Sequence, residues 1–175
     1  MKLKTIRGRL LLATVLTLGA ARSASAQTDT PQRMENIVTQ RATGSFDVKL
    51  TPQPVHDGVD AVVGRNSIAK QFHGALAGTS AGEMLGYWSN DTNSGAYVAI
   101  ERFTGTLGGR SGSFLLVHKG VMDAGGGPPL DITVAPNSGS GELTGIAGSM
   151  NIIMEGGRHD YVFEYTLPAR ETESR

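Results

Sequence analysis

GELTGIAGSMNIIMEGGRHDYVFEYTL, residues 141–167, carries the clearest strand–turn–strand pattern of the chain. Two runs containing β-branched and aromatic residues flank Glu155-Gly156-Gly157-Arg158, and a pair of glycines supplies the positive φ angles of a two-residue primed turn. In the second run Tyr161, Phe163 and Tyr165 alternate with Val162, Glu164 and Thr166, so three aromatic rings share one face of an extended strand. A strand, a tight turn and a second strand make an antiparallel hairpin.

The same punctuation runs outward through residues 42–167. Short β-branched and aromatic runs recur between clusters of Gly, Asn, Asp and Pro, almost without 3.6-residue periodicity. They predict strands at about 44–51, 67–76, 82–89, 96–107, 112–122, 130–135, 141–154 and 158–167. Eight consecutive antiparallel strands can close into an up-and-down barrel, which removes exposed sheet edges; an open two-sheet sandwich is the alternative. Gly112, Gly120, Gly145 and Gly148 fall inside these runs and suit the bends of a barrel. Phe46, Val48 and Leu50 face one way and Ser45, Asp47 and Lys49 the other, the pattern of a half-buried strand. Later strands are apolar on both sides: Val98 and Ile100 oppose Tyr97, Ala99 and Phe103, and Leu115 and Val117 oppose Phe114 and Leu116. Apolar residues on the outside of a one-layer barrel call for a covering segment or a subunit interface, so a homo-oligomer is expected.

The ends of the chain read differently. Lys2, Lys4, Arg7 and Arg9 precede an apolar run from Leu10 to Ala21, and small residues follow at Ala24 and Ala26. This is the form of a Sec signal peptide over residues 1–26, cleaved after Ala26, which addresses the chain to the periplasm or the medium. The run is shorter than the ~20 residues a bilayer span needs, and no second one follows, so no membrane span is expected after cleavage. Residues 27–41 are polar and are expected to be a flexible segment; the charged residues 168–175 are expected to be a disordered tail. Five of the 16 basic residues and none of the 16 acidic ones lie in residues 1–26, which leaves 11 against 16 and a net charge of −5. An acidic domain without clustered Lys or Arg is a poor partner for nucleic acid. The chain has no cysteine, which excludes disulfides, thiolate metal sites and cysteine nucleophiles.

Arg41 to Leu50 (RATGSFDVKL), Lys70-Gln71-Phe72-His73-Gly74, Gly82-Glu83-Met84-Leu85, Tyr97 to Arg102 (YVAIER), Gly112 to His118 (GSFLLVH), Ser138 to Met150 (SGSGELTGIAGSM) and Phe163 to Leu167 (FEYTL) together resemble a bacterial family of domains of unknown function, grouped by fold with allene oxide cyclase-type barrels. The resemblance covers nearly all of residues 42–167. It implies an antiparallel, calycin-like barrel of about eight strands whose interior or mouth can hold a small, largely apolar molecule. It implies no reaction, because fold does not carry function. Members of that family usually begin close to the first strand, so an export signal is a departure.

Residues able to carry chemistry are few. Glu83 shares a strand face with Ala81, Leu85 and Tyr87, and Glu101 shares one with Tyr97, Ala99 and Phe103. Burial of either carboxyl would raise its pKa and suit it to general acid or base work; an outward face or a structural ion pair is the plainer reading. His118 continues the face of Phe114 and Leu116, and His73 lies on the Gln71 face; His56 and His159 look peripheral. No metal is expected, since no H-x-H, H-x-x-x-H or H-E-x-x-H spacing occurs. Gly78-Thr79-Ser80-Ala81-Gly82 matches G-x-S-x-G, but a nucleophile elbow needs a helix after the serine, and a hairpin turn fits better. The spacing of Gly139, Gly141, Gly145 and Gly148 is not a dinucleotide fingerprint, and no cofactor is expected.

Three functions follow as expectations. The first is an exported barrel that binds a small apolar ligand, with His73, Tyr97, Phe114, Tyr161, Phe163 and Tyr165 as candidate lining residues. The second is a cofactor-free cyclase or isomerase in which Glu83, Glu101 or His118 moves a proton. The third is an envelope protein whose apolar outer strands meet a partner.

Overall fold

A computed structural model of the chain describes residues 38–58, 62–124 and 130–169. They form nine strands and no helix: β1 (Gln40–Gln53), β2 (Val63–Gly74), β3 (Leu76–Ser89), β4 (Ser94–Leu107), β5 (Arg110–Met122), β6 (Asp131–Val134), β7 (Ser140–Gly141), β8 (Ala147–Glu155) and β9 (Arg158–Thr166). β1 pairs with both β2 and β9, and the ring continues through β3, β4, β5, β6 and β8, every pairing antiparallel. Eight strands thus close into a barrel rather than an open sandwich. The two-residue β7 is an addition that pairs with Gly112 and Ser113 of β5.

The expected hairpin at Glu155-Gly156-Gly157-Arg158 is present: Gly156 and Gly157 have φ of +59° and +78°, and Glu155 pairs with Arg158. Three boundaries differ from expectation. β2 ends at Gly74, with φ of +103°, and β3 begins at Leu76, so a turn around Ala75 divides the two strands. Gly78 to Gly82 therefore lies within β3 and is neither an elbow nor a hairpin turn. Residues 141–154 are not one strand: between β7 and β8 the chain turns through Gly141 and Gly145, both at positive φ, which moves Gly145 out of any strand. Finally, β1 starts at Gln40, two residues inside the expected flexible segment, because Gln40 and Arg41 pair with Tyr165 and Glu164. The expected signal peptide, residues 27–37 and residues 170–175 lie outside the described residues.

Alternation along each strand fills one end of the barrel with rings. Phe72, Phe103, Phe114 and Phe163 lie in succession with centroids 5.1 to 5.6 Å apart, and Tyr161 and Tyr165 extend the series at 5.7 and 5.2 Å. Leu76, Leu107 and, from the turn before β8, Leu143 and Ile146 complete this core. The Tyr161 hydroxyl accepts from Leu76 N–H at 2.7 Å and donates to His73 C=O at 3.3 Å, which ties the β2–β3 turn to β9. Glycine at 44 makes room for this tie: a Cβ there would collide with the His73 carbonyl and the Tyr161 ring.

The expected apolar outer face is also present. Leu85, Val98, Ile100, Val117 and Val121 of β3, β4 and β5 are exposed, and this is the surface on which the expected subunit interface would form. Among the described residues no helix is long and apolar enough to cross a membrane.

Candidate functional site

Above the aromatic layer the inward positions change character. Lys70 sits between Ile68 and Phe72 on β2, Glu101 between Ala99 and Phe103 on β4, and His118 follows Leu116 on β5; Ser80 of β3 pairs in register with Lys70. Period-two alternation sends all four into the barrel, where each is buried. Lys70 Nζ donates to Glu101 Oε1 at 2.6 Å, and Ser80 Oγ donates to Oε2 at 2.6 Å. His118 Nε2 approaches Oε1 to 2.9 Å with its N–H direction poorly aligned, an electrostatic contact more than a formed hydrogen bond. The ammonium of Lys70 also faces the Phe46 ring, 4.6 Å from its centroid. Gly82 stands opposite Glu101 in the ladder, where a Cβ would meet the Ile100 carbonyl and the root of the Glu101 side chain.

The electrostatics favour the structural ion pair over the raised pKa among the sequence readings of Glu101. Burial pushes its carboxyl up, but the His118 ring and the Lys70 ammonium outweigh burial and hold the pKa down from 4.5 to about 2. Glu101 is therefore an anion at neutral pH, a weak base and not an acid, with both oxygens engaged. Proton transfer through Glu101, one of the three residues the cyclase reading offered, does not fit this environment.

Above this cluster the barrel is open. A pocket of about 330 Å³ leads down to Lys70 and His118, between apolar walls that include Val48, Ile68, Met84, Leu130 and Ile152, with Trp88, Met154 and His159 also lining it. A second hollow of about 380 Å³ shares Met84, Trp88, Tyr97 and Met122 with it and extends past Val62 and Asn66. Tyr97 lies over glycine on either side: it pairs with Gly86 and Gly120, and a Cβ at Gly120 would run into its ring. Burial, and then the charge of Glu101, raise the pKa of the Tyr97 phenol. Among the described residues no group of three or more His, Asp or Glu is placed to hold a metal.

The residues picked out from sequence separate into three places. His118 and Tyr97 line the pocket, and Glu101 lies buried beneath it against Lys70 and His118. Phe114, Tyr161, Phe163 and Tyr165 are buried in the closed end, where they pack against each other and the neighbouring core. Glu83 and His73 are on the outer surface, where Glu83 pairs with Arg65 at 3.0 Å and His73 with Asp47 at 3.0 Å, so neither reaches the interior. Lys70 and Trp88 were not picked out as site residues; Ser80 was read only within the rejected G-x-S-x-G and Phe46 only as strand core, and His159, expected to be peripheral, stacks on Phe46 at 5.1 Å. The signal for Lys70 was available: a lysine alternating with Ile68 and Phe72 must either break the apolar face or be paired inside.

A closed antiparallel barrel, packed with rings at one end and open over a buried ion cluster at the other, is the class of protein that fold and site define. The family model described as a protein of unknown function (DUF3224) matches residues 42–165, and the chain belongs to that family. It is similar to a crystallised protein of unknown function of the DUF3224 family from Shewanella oneidensis MR-1: 42% identity over 75% of this chain and 99% of that chain, with a TM-score of 0.69. A comparison with the curated proteins finds no match.

Acid stability tests the cluster. A carboxyl lowered from 4.5 to about 2 contributes stability that is present above pH 4.5 and is lost as pH falls toward 2; at about 1.4 kcal/mol per unit this amounts to about 3 kcal/mol. Glu101→Gln leaves Lys70 buried without its counter-charge and is expected to cost about 3–5 kcal/mol at pH 7. It should also flatten the loss between pH 4.5 and 2. Urea unfolding of both proteins across that range measures this, and equal acid sensitivity of the two would contradict it.

Proposed function

We propose that the open end of the barrel binds a small apolar molecule without transforming it. The observation that carries this reading is the pocket of about 330 Å³ whose apolar walls end on buried, mutually paired charges. Pockets of this size, mostly apolar with a few convergent polar groups, are the usual form of small-molecule sites. One end of the barrel is filled by rings, so the interior offers room at one mouth only in this reading. The same arrangement is what kinship with allene oxide cyclase-type barrels would supply. Against an isomerase using Glu101 stand its low pKa and its occupied oxygens.

Trp88, the one tryptophan of the chain, lines the pocket and reports on it. Titration with butylbenzene is expected to change Trp88 emission saturably, and the pocket-filling pair Val48→Phe and Ile152→Phe to weaken the response at least tenfold. No saturable change, or an unaltered response in the filled variant, would sink the proposal. We also propose that the site works outside the cytoplasm, on the strength of the charged start, apolar run and Ala24-Ser25-Ala26 of the leader. Protein recovered from the periplasm or medium should begin at Gln27; a cytoplasmic product that keeps the leader would refute export.

A further inference from the structure

Resting on the reading of the open end as a binding pocket, we infer that its ligand is an uncharged apolar molecule carrying one carbonyl oxygen, which docks on Lys70 Nζ and the Tyr97 hydroxyl. The inference comes from counting what the inner end of the pocket has left to give. Glu101 has both carboxylate oxygens engaged, Oε1 by Lys70 and His118 and Oε2 by Ser80, and no part of it is exposed. It offers a ligand no acceptor. Lys70 has three N–H donors: one is given to Glu101, a second can face the Phe46 ring, and no third hydrogen bond joins it to any described group. Tyr97, which lines the same pocket, keeps its phenolic proton because burial and the nearby Glu101 charge raise its pKa.

A site with a charged donor to spare and no carboxylate oxygen left free selects a molecule that brings an acceptor. Of the acceptors, a second carboxylate is disfavoured. The Lys70 charge is already neutralised by Glu101 at 2.6 Å, and Glu101 stays ionised to about pH 2. The field of Glu101 reaches Tyr97, where it opposes another negative charge. An uncharged ketone, aldehyde, ester or lactone accepts from both donors without that repulsion. The volume sets the size: about 330 Å³, at roughly 30 Å³ for each water displaced, suits a molecule of about ten non-hydrogen atoms.

Three probes of nearly equal size separate these chemistries. Butylbenzene has no acceptor, 4-phenylbutan-2-one has an uncharged carbonyl, and 3-phenylpropanoate has the same skeleton with a carboxylate. Calorimetry at pH 7 is expected to show the ketone binding about tenfold tighter than the hydrocarbon, the difference one hydrogen bond from a charged donor makes. The carboxylate is expected to bind at least tenfold more weakly than the ketone. The double variant Lys70→Met/Glu101→Gln leaves no buried charge unpaired. It should unfold cooperatively in urea, which shows that the barrel has formed, and lose the preference for the ketone over butylbenzene. A ketone no tighter than the hydrocarbon, a carboxylate tighter than the ketone, or a preference that survives in the double variant would each overturn the assignment while leaving apolar binding in place. Failure of all three probes to bind would instead overturn the binding reading itself.

Discussion

Lys70 and Glu101 meet at 2.6 Å inside a barrel where neither has appreciable contact with water. Removing two charges from water costs several kcal/mol for each ion, and attraction offsets that only when the remaining hydrogen-bonding capacity is met. Here Ser80 takes the second carboxylate oxygen and His118 adds an electrostatic contact, while the Phe46 ring faces the ammonium. The pair draws on three neighbouring walls through Lys70, Ser80 and Glu101, with His118 on a fourth. Its geometry therefore depends on correct register across β2, β3, β4 and β5. A one-residue slip in any of these strands would turn a member of the cluster outward and leave a buried polar partner unpaired. Hydrophobic packing closes the aromatic end; the ion cluster fixes where that packing stops.

From that boundary the division of the barrel follows. Below it, the succession from Phe72 to Phe163 fills the interior, and Leu143 and Ile146 close the bottom. Above it, glycines face inward where side chains would otherwise crowd the space: Gly82 opposite Glu101, and Gly86 and Gly120 beside the Tyr97 ring. Small residues and charged residues at the same level leave a hollow with a polar floor and apolar walls. The 42% identical relative from Shewanella oneidensis has a similar fold over nearly its whole length.

The strands and the barrel were legible because period-two alternation and paired glycines are local signals; Gly156-Gly157 specified its hairpin outright. The division between β2 and β3 was not. It depends on a turn of one residue after Gly74, and Gly78 to Gly82 carries the small residues usual in turns although it is straight strand. The deciding influence there is tertiary, since Gly78 and Gly105 lie so close that neither position tolerates a Cβ. Glu101 and His118 were legible as polar residues on apolar faces. Lys70 was missed because its partner lies 31 residues away, and sequence alternation shows which face a residue takes without showing what it meets. The aromatic stripe of β9 was correctly placed inside, yet one strand cannot show which half of a barrel is filled. For the same reason the structural ion pair, the plainer reading of Glu101, was legible as a possibility while its partners Lys70 and His118 were not.

An ionised, fully engaged carboxylate forms the boundary between the packed and open halves of the barrel. The most direct measurement is a carbon-13 titration of the Glu101 side-chain carboxyl in the folded protein, with the resonance assigned by its absence in Glu101→Gln. The resonance is expected to stay in its ionised position as pH is lowered through 4.5 and to move only near pH 2. A midpoint at or above 4.5 would contradict it.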